Sequence, residues 1–208
     1  MDKNTWTKHW NNAGGYNWET KRTLLTPIFS RLESEGKIGK VVVDVGSGTL
    51  PVSLFLSGHH KVISIDIAAD TVESGVIKAD VEKVAQKSSF TYKSALLQAA
   101  KFLQIDPRGE SSEHVDTVIF SEILNYVDYR EVLKGFTKFL KPGGRFIIIN
   151  KPGRGFEYLF SKKTYKVNAE LLTALAELGF QIEETYRPGV DHSEDDTQMM
   201  FLIVKKLA

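Results

Sequence analysis

The sequence predicts an α/β protein built on a Rossmann-like, doubly wound, mostly parallel sheet that an antiparallel hairpin closes. Three features predict it. Short β-branched runs recur along the chain, amphipathic helical segments separate them, and two strand-like segments flank a polar loop near the end. "KVVVDV" (40–45), "KVISIDI" (61–67), "HVDTVIF" (114–120) and "GRFIIIN" (144–150) are too short for helices and read as buried strands. "DYREVLKGFTKFLKPGG" opens on Asp128 with Glu131 at capping-box spacing, and an apolar face follows through Val132, Leu133, Phe136, Phe139 and Leu140. Pro142, Gly143 and Gly144 are expected to stop that helix. "NAELLTALAELGF" takes Asn168 as N-cap, gathers Leu171, Leu172, Leu175 and Leu178 on one side, and ends at Gly179. An N-terminal helix is expected over 18–35, kinked or divided at Pro27. "FQIEETYR" and "QMMFLIVKK", joined by "PGVDHSEDDT", form the closing hairpin.

The chain has 208 residues, the size of one domain, with no linker, repeat or low-complexity tract, so a single domain over 1–208 is expected. Within it, 1–36 is read as an N-terminal lid or helical segment and 37–208 as the α/β core. Lys plus Arg is 27 against 26 for Asp plus Glu, and this balance argues against a dedicated nucleic-acid binder. No apolar run reaches the roughly 18 residues that span a membrane. The N-terminus lacks the apolar segment of a signal peptide. Cysteine is absent, which removes disulfides, thiolate metal ligands and cysteine nucleophiles. A cytoplasmic location is expected, with no membrane and no nucleic-acid partner.

The stretch "KVVVDVGSGTLPVSLFL" (40–56) carries the chemistry. Gly46 and Gly48 follow a buried strand and precede an apolar segment read as helical, Pro51 to Leu56. That junction lies on the carboxyl edge of an α/β sheet, where ligands bind. Glycine lets the backbone turn tightly and approach a ligand without a Cβ between them. A dinucleotide-binding loop would place its third glycine at position 51, where this chain has Pro51. Proline removes a donor that a pyrophosphate would use, so a ligand without a phosphate at this place fits better. Asp44 precedes the first glycine and would repel a pyrophosphate, yet can orient the loop or accept from an ammonium. Asp66, about 20 residues past the loop at the end of the second strand, is placed to accept both hydroxyls of a ribose.

With these residues in view, the chain resembles the class I S-adenosylmethionine-dependent methyltransferases of small-molecule type. The resemblance rests on "VDVGSGT" (43–49), "VISID" (62–66), "VDTVIFSEIL" (115–124) and "LKPGGRFIIIN" (140–150), in order, over about 35–205. It implies a seven-stranded sheet with an antiparallel last strand, and S-adenosylmethionine as cofactor with S-adenosylhomocysteine as product. It further implies that Gly46 and Gly48 approach the methionyl and ribose parts, that Asp44 lies near the amino end, and that Asp66, with Ile67 after it, takes the ribose. Where the family often has a third glycine, this chain has Leu50. The adenine side stays open between two residues. Asp80 would end a short third strand "GVIKAD", whereas Ser94 would follow if 70–86 is a helix and "SFTYKSA" the strand. Ser121 is implied as a methionyl contact, and Glu122 and Asn125 border the acceptor or start a helix. Tyr16, with Lys21 or Arg22 nearby, could bond the methionyl carboxylate from the N-terminal segment, and Arg154 could hold an anionic substrate.

Other histidines and acids read as bland. His59 and His60 stand at the amino end of the second strand and are expected on the surface, with no metal or catalytic role. Asp191, His192, Glu194, Asp195 and Asp196 are expected to be a solvated loop. Methyl transfer from a sulfonium needs a general base only if the acceptor must lose a proton. No catalytic residue is therefore singled out. After the fourth strand stands "SEIL", not the Asn/Asp-Pro-Pro-Tyr/Phe segment of DNA amino methylases, and the cysteine of pyrimidine C5 methylation is missing. A small-molecule O or N acceptor follows as the leading expectation. The alternatives are an aminopropyl or aminobutyl transferase, a nicotinamide-dependent oxidoreductase that Pro51 disfavours, and a non-catalytic binding module.

Overall fold

The computed structural model describes residues 18–48, 51–67, 76–86, 115–151, 159–160, 166–187 and 199–207. Among the described residues the strands form one seven-stranded sheet. They are β1 (Val41–Val45), β2 (Lys61–Asp66), β3 (Val76–Lys78), β4 (Val115–Ser121), β5 (Leu140–Asn150), β6 (Phe180–Tyr186) and β7 (Met200–Lys206). Their order is β3-β2-β1-β4-β5-β7-β6. The first five run parallel, and β7 lies antiparallel between β5 and β6. This is the doubly wound sheet with a terminal hairpin that the sequence predicts.

The helices are α1 (Trp18–Ser34), α2 (Val81–Gln86), α3 (Tyr129–Thr137) and α4 (Ala169–Glu177). Strand alternation divides the apolar residues between two faces. On one, Val43, Ile65, Phe120, Phe146 and Leu202 pack against α2, α3 and α4. On the other, Val42, Ile119, Ile147 and Phe201 meet Leu25, Ile28, Phe29 and Leu32 of α1. The N-terminal helix is thus part of the core. Gly135 lets α3 meet α2, because a Cβ there would stand 2.7 Å from the Ala85 Cα.

Three local expectations are corrected. Helix α1 runs unbroken through Pro27, since Leu25, Ile28, Phe29 and Leu32 anchor both sides of an exposed proline. Helix α3 ends at Thr137, and Pro142, Gly143 and Gly144 lie inside β5, not at a helix stop. Leu140 pairs with Val115 before them and Arg145 with Thr117 after them, so they form a bulge that Gly143 turns at φ +74°. His60 is mostly buried, with Nδ1 2.8 Å from the Gly39 carbonyl and Nε2 2.8 Å from Glu33 Oε1. The caps agree with the sequence: Asp128 accepts from the Glu131 amide and Asn168 from the Glu170 amide. The acidic loop 191–196 lies outside the described residues. Among the described residues no helix is long and apolar enough to cross a membrane.

An ion network fastens α1 to the edge strand β6. Arg31 donates to Glu184 at 2.7 Å and lies over the Tyr186 ring, while Lys37 reaches both Glu184 and Glu35. Burial pushes the Glu184 carboxyl up, but the bonds and charges of Arg31 and Lys37 outweigh it and hold the group below its ordinary 4.5. A depressed carboxyl stabilises the fold above its unfolded value, and that share is lost as pH falls through the folded one. Glu184→Gln is therefore expected to cost about 1–2 kcal/mol at pH 7. The gap to wild type should narrow as thermal melts are taken below pH 4.5. A gap that stays constant down to pH 3 would contradict this account.

Candidate cofactor site

The site lies at the carboxyl ends of β2, β1 and β4. The order reverses between β1 and β4, which is where an open α/β sheet parts to admit a ligand. After Val45 the chain turns over the end of β2, with the Gly46 and Ser47 amides both donating to the Ile65 carbonyl (2.9 and 3.3 Å). Gly46 and Gly48 have φ of +77° and +56°, a region that side-chain-bearing residues rarely adopt.

Two carboxylates hold this turn. Asp44, fully buried, accepts from the Val52 amide at 2.8 Å and from Ser64 Oγ at 3.4 Å. Asp66 accepts from the Gly48 amide at 2.8 Å. Asp44, Ser64 and Asp66 all point to the α1 face, as strand alternation and the β1–β2 register require. Asp44 thus works from beneath the loop, in the orienting role the sequence allows. Asp66 lies at the loop's rim, and its backbone carbonyl accepts from the Ala79 amide at the end of β3. Behind the loop, Pro51 to Leu56 holds a single 3₁₀ turn (Val52–Leu54) in place of the expected helix. Pro51 begins it, in extended conformation.

The two glycines play different parts. A Cβ on Gly46 would stand 2.7 Å from the Ile123 Cβ, so this residue locks the loop against the segment after β4. Among the described residues a Cβ on Gly48 would meet nothing within 4 Å, so its outer side is open to them. Across the switch point, Ser121 ends β4 half-exposed, and Glu122 follows at φ +55° while its amide donates to the Ile149 carbonyl at 2.7 Å. A non-glycine residue in that region is a strained turn, and such strain gathers at ligand edges.

The other expected residues fall as follows. Ile67 is half-buried directly after β2. Of the two adenine-side readings, the strand at 76–78 is present, and Asp80 lies two residues beyond it. Asp80 Oδ1 accepts from the Glu82 and Lys83 amides at 3.2 and 3.4 Å, so it also caps α2. Tyr16, Ser94, Leu50, Arg154 and the Lys21 side chain lie outside the described residues. Two residues were missed: Ser47, whose buried hydroxyl has no partner among the described residues, and Asn150, whose amide has none there on either atom. A polar residue closing the apolar run "IIIN" was the available signal for Asn150.

The residues present suit a nucleoside-bearing cofactor with no pyrophosphate at the loop. An open glycine face, a buried Ser47 hydroxyl without a partner and a carboxylate at the second strand's end are the groups it would use. Together, fold and site are those of an α/β protein with a ligand edge at the switch point of a seven-stranded sheet. The family comparison is more specific: residues 37–195 match the model described as "Methyltransferase domain", and the chain belongs to that family. Comparison with curated proteins finds no match. Among solved structures, the chain is similar to the 1,6-didemethyltoxoflavin-N1-methyltransferase of Burkholderia thailandensis, crystallised with its substrate and S-adenosylhomocysteine. That likeness has a TM-score of 0.65 at 15% identity, over 99% of this chain and 87% of that one. It is similar also to the magnesium protoporphyrin IX methyltransferase of Synechocystis with bound SAM (TM-score 0.64, 16% identity, 99% and 98% covered). The N-methyltransferase NodS of Bradyrhizobium japonicum, with S-adenosylhomocysteine, gives 0.65 at 13% identity over 99% of each chain. S-adenosylmethionine is the cofactor to which this family and these neighbours point.

Gly46→Ala tests the loop geometry. It adds a side chain at positive φ and against Ile123, and should cost about 1–3 kcal/mol of stability. S-adenosylhomocysteine affinity should fall with it. A thermal melt and a calorimetric titration that both match wild type would contradict the account.

Proposed function

We propose that the protein transfers the methyl group of S-adenosylmethionine to an oxygen or nitrogen atom of a small molecule. The observation that carries this reading is Asp66 at the end of β2, bonded to the amide of open-faced Gly48 and two strands from the half-exposed Ser121 and Glu122. A carboxylate so placed binds the ribose hydroxyls, each charge-assisted bond contributing about 1.5–3 kcal/mol. Gly46 and Gly48 let the backbone approach the methionyl and ribose parts, and Ser47 offers its hydroxyl there. Asp44 keeps the loop in shape from below. In this reading Asp80 serves the adenine side, Ile67 flanks the ribose and Ser121 meets the methionyl part. Tyr16 is kept as the partner of the methionyl carboxylate.

The bound cofactor supplies an activated sulfonium methyl, so the protein's task is to position the acceptor in line and to exclude water. The segment after β4 does the positioning, because Glu122 and Ile123 stand directly across the switch point from the glycine loop. The near-zero net charge supports a small-molecule acceptor over nucleic acid. One domain over 1–208 acting in the cytoplasm completes the reading.

Calorimetric titration with S-adenosylmethionine, S-adenosylhomocysteine and NAD tests it. The adenosyl ligands alone should bind, and Asp66→Ala should weaken them at least tenfold, about 1.4 kcal/mol. Binding of NAD alone would overturn the assignment.

A further inference from the structure

Beyond the cofactor half, the sheet edge carries polar groups that the protein itself does not satisfy. Asn150, the last residue of β5, is completely buried, and among the described residues neither its amide oxygen nor its amide nitrogen has a hydrogen-bond partner. Asn125, in the turn after β4, is also buried, and its Oδ1 has no partner. Buried amides are almost always paired, because stripping one of water without a replacement is costly. Asn125 follows β4 and Asn150 ends β5, two strands that adjoin in the sheet, so both stand at its carboxyl edge.

Asn150 projects on the same face as Phe146 and Ile148, towards the face that Leu124 of the post-β4 turn helps to cover. Its lateral neighbour Glu122 and its chain neighbour Lys151 are both half-exposed, so the amide stands one residue from solvent. A local apolar residue would fill this strand end at less cost, as Ile147, Ile148 and Ile149 do before it.

We propose that Asn150, assisted by Asn125, forms the acceptor subsite and reads a lactam or imide edge, a ring N–H beside a C=O, on the methyl acceptor. A carboxamide is self-complementary to such an edge: its oxygen accepts from the N–H while its NH2 donates to the carbonyl, in one plane. A site built on buried hydrogen-bonding groups rejects analogues that cannot pair with them. This subsite rests on the methyl-transfer reading above and narrows it to heterocyclic acceptors.

The test titrates the protein saturated with S-adenosylhomocysteine with uracil, lumazine and 1,3-dimethyllumazine, whose ring N–H groups are capped. Uracil or lumazine should bind, and dimethyllumazine at least tenfold more weakly than lumazine. Asn150→Leu should abolish that discrimination, leave S-adenosylhomocysteine affinity within twofold, and leave the melting temperature unchanged or higher. A melting temperature lowered by several degrees would make Asn150 a structural residue and overturn the subsite. So would lumazine and its dimethyl form binding alike to wild type, or neither uracil nor lumazine binding to protein that holds S-adenosylhomocysteine. Failure of wild type to bind S-adenosylhomocysteine would overturn the methyl-transfer reading, and the subsite with it.

Discussion

The site depends on two carboxylates tethering one short turn. Backbone that leaves β1 and doubles over the end of β2 exposes amides that need acceptors. Asp44 takes the amide of Val52 and Asp66 that of Gly48, so the turn is fixed at both ends. Both side chains lie on the α1 face because Asp44 pairs with Ser64 and the strands alternate from there. The carboxylate that shapes the loop is therefore also the one to which the proposed function assigns the ribose. Shaping the loop before binding lowers the ordering cost at the moment of binding.

The second constraint is the contact across the switch point. The Gly46 Cα faces Ile123 so closely that only hydrogen fits between them. Glu122, one residue earlier, takes a left-handed conformation to bring the chain into position, held by its amide bond to β5. The glycine loop and the turn after β4 thus form one rigid edge. Methyl transfer rewards this rigidity, since an in-line displacement gains from fixed alignment more than from a strong acid or base.

Much of this was legible because it is periodic or local. Buried strands announce themselves as β-branched runs, and Asp128 and Asn168 as caps needed only their own helix. Gly46 and Gly48 were legible as a tight turn, and Asp44 as a residue that orients it, because both belong to one short stretch of chain. What failed was decided by distant partners. Pro142, Gly143 and Gly144 read as a helix stop, but Leu140 pairs with Val115 and pulls β5 back before them. Pro27 read as a break, yet the core contacts of Leu25, Ile28, Phe29 and Leu32 carry the helix through it. His60 read as surface because Glu33 and Gly39, its partners, are far away in sequence. Asn150 was passed over for the same reason: its significance lies in lacking partners, which no sequence window displays.

The central claim is that this edge holds the adenosyl cofactor with its ribose on Asp66, and a crystal structure with S-adenosylhomocysteine tests it most directly. The account predicts the ribose hydroxyls within hydrogen-bonding distance of the Asp66 carboxylate, the methionyl part against Gly46–Gly48, and the β1–β2 turn in its present conformation. A ligand bound elsewhere on the sheet, or a ribose turned away from Asp66, would contradict it.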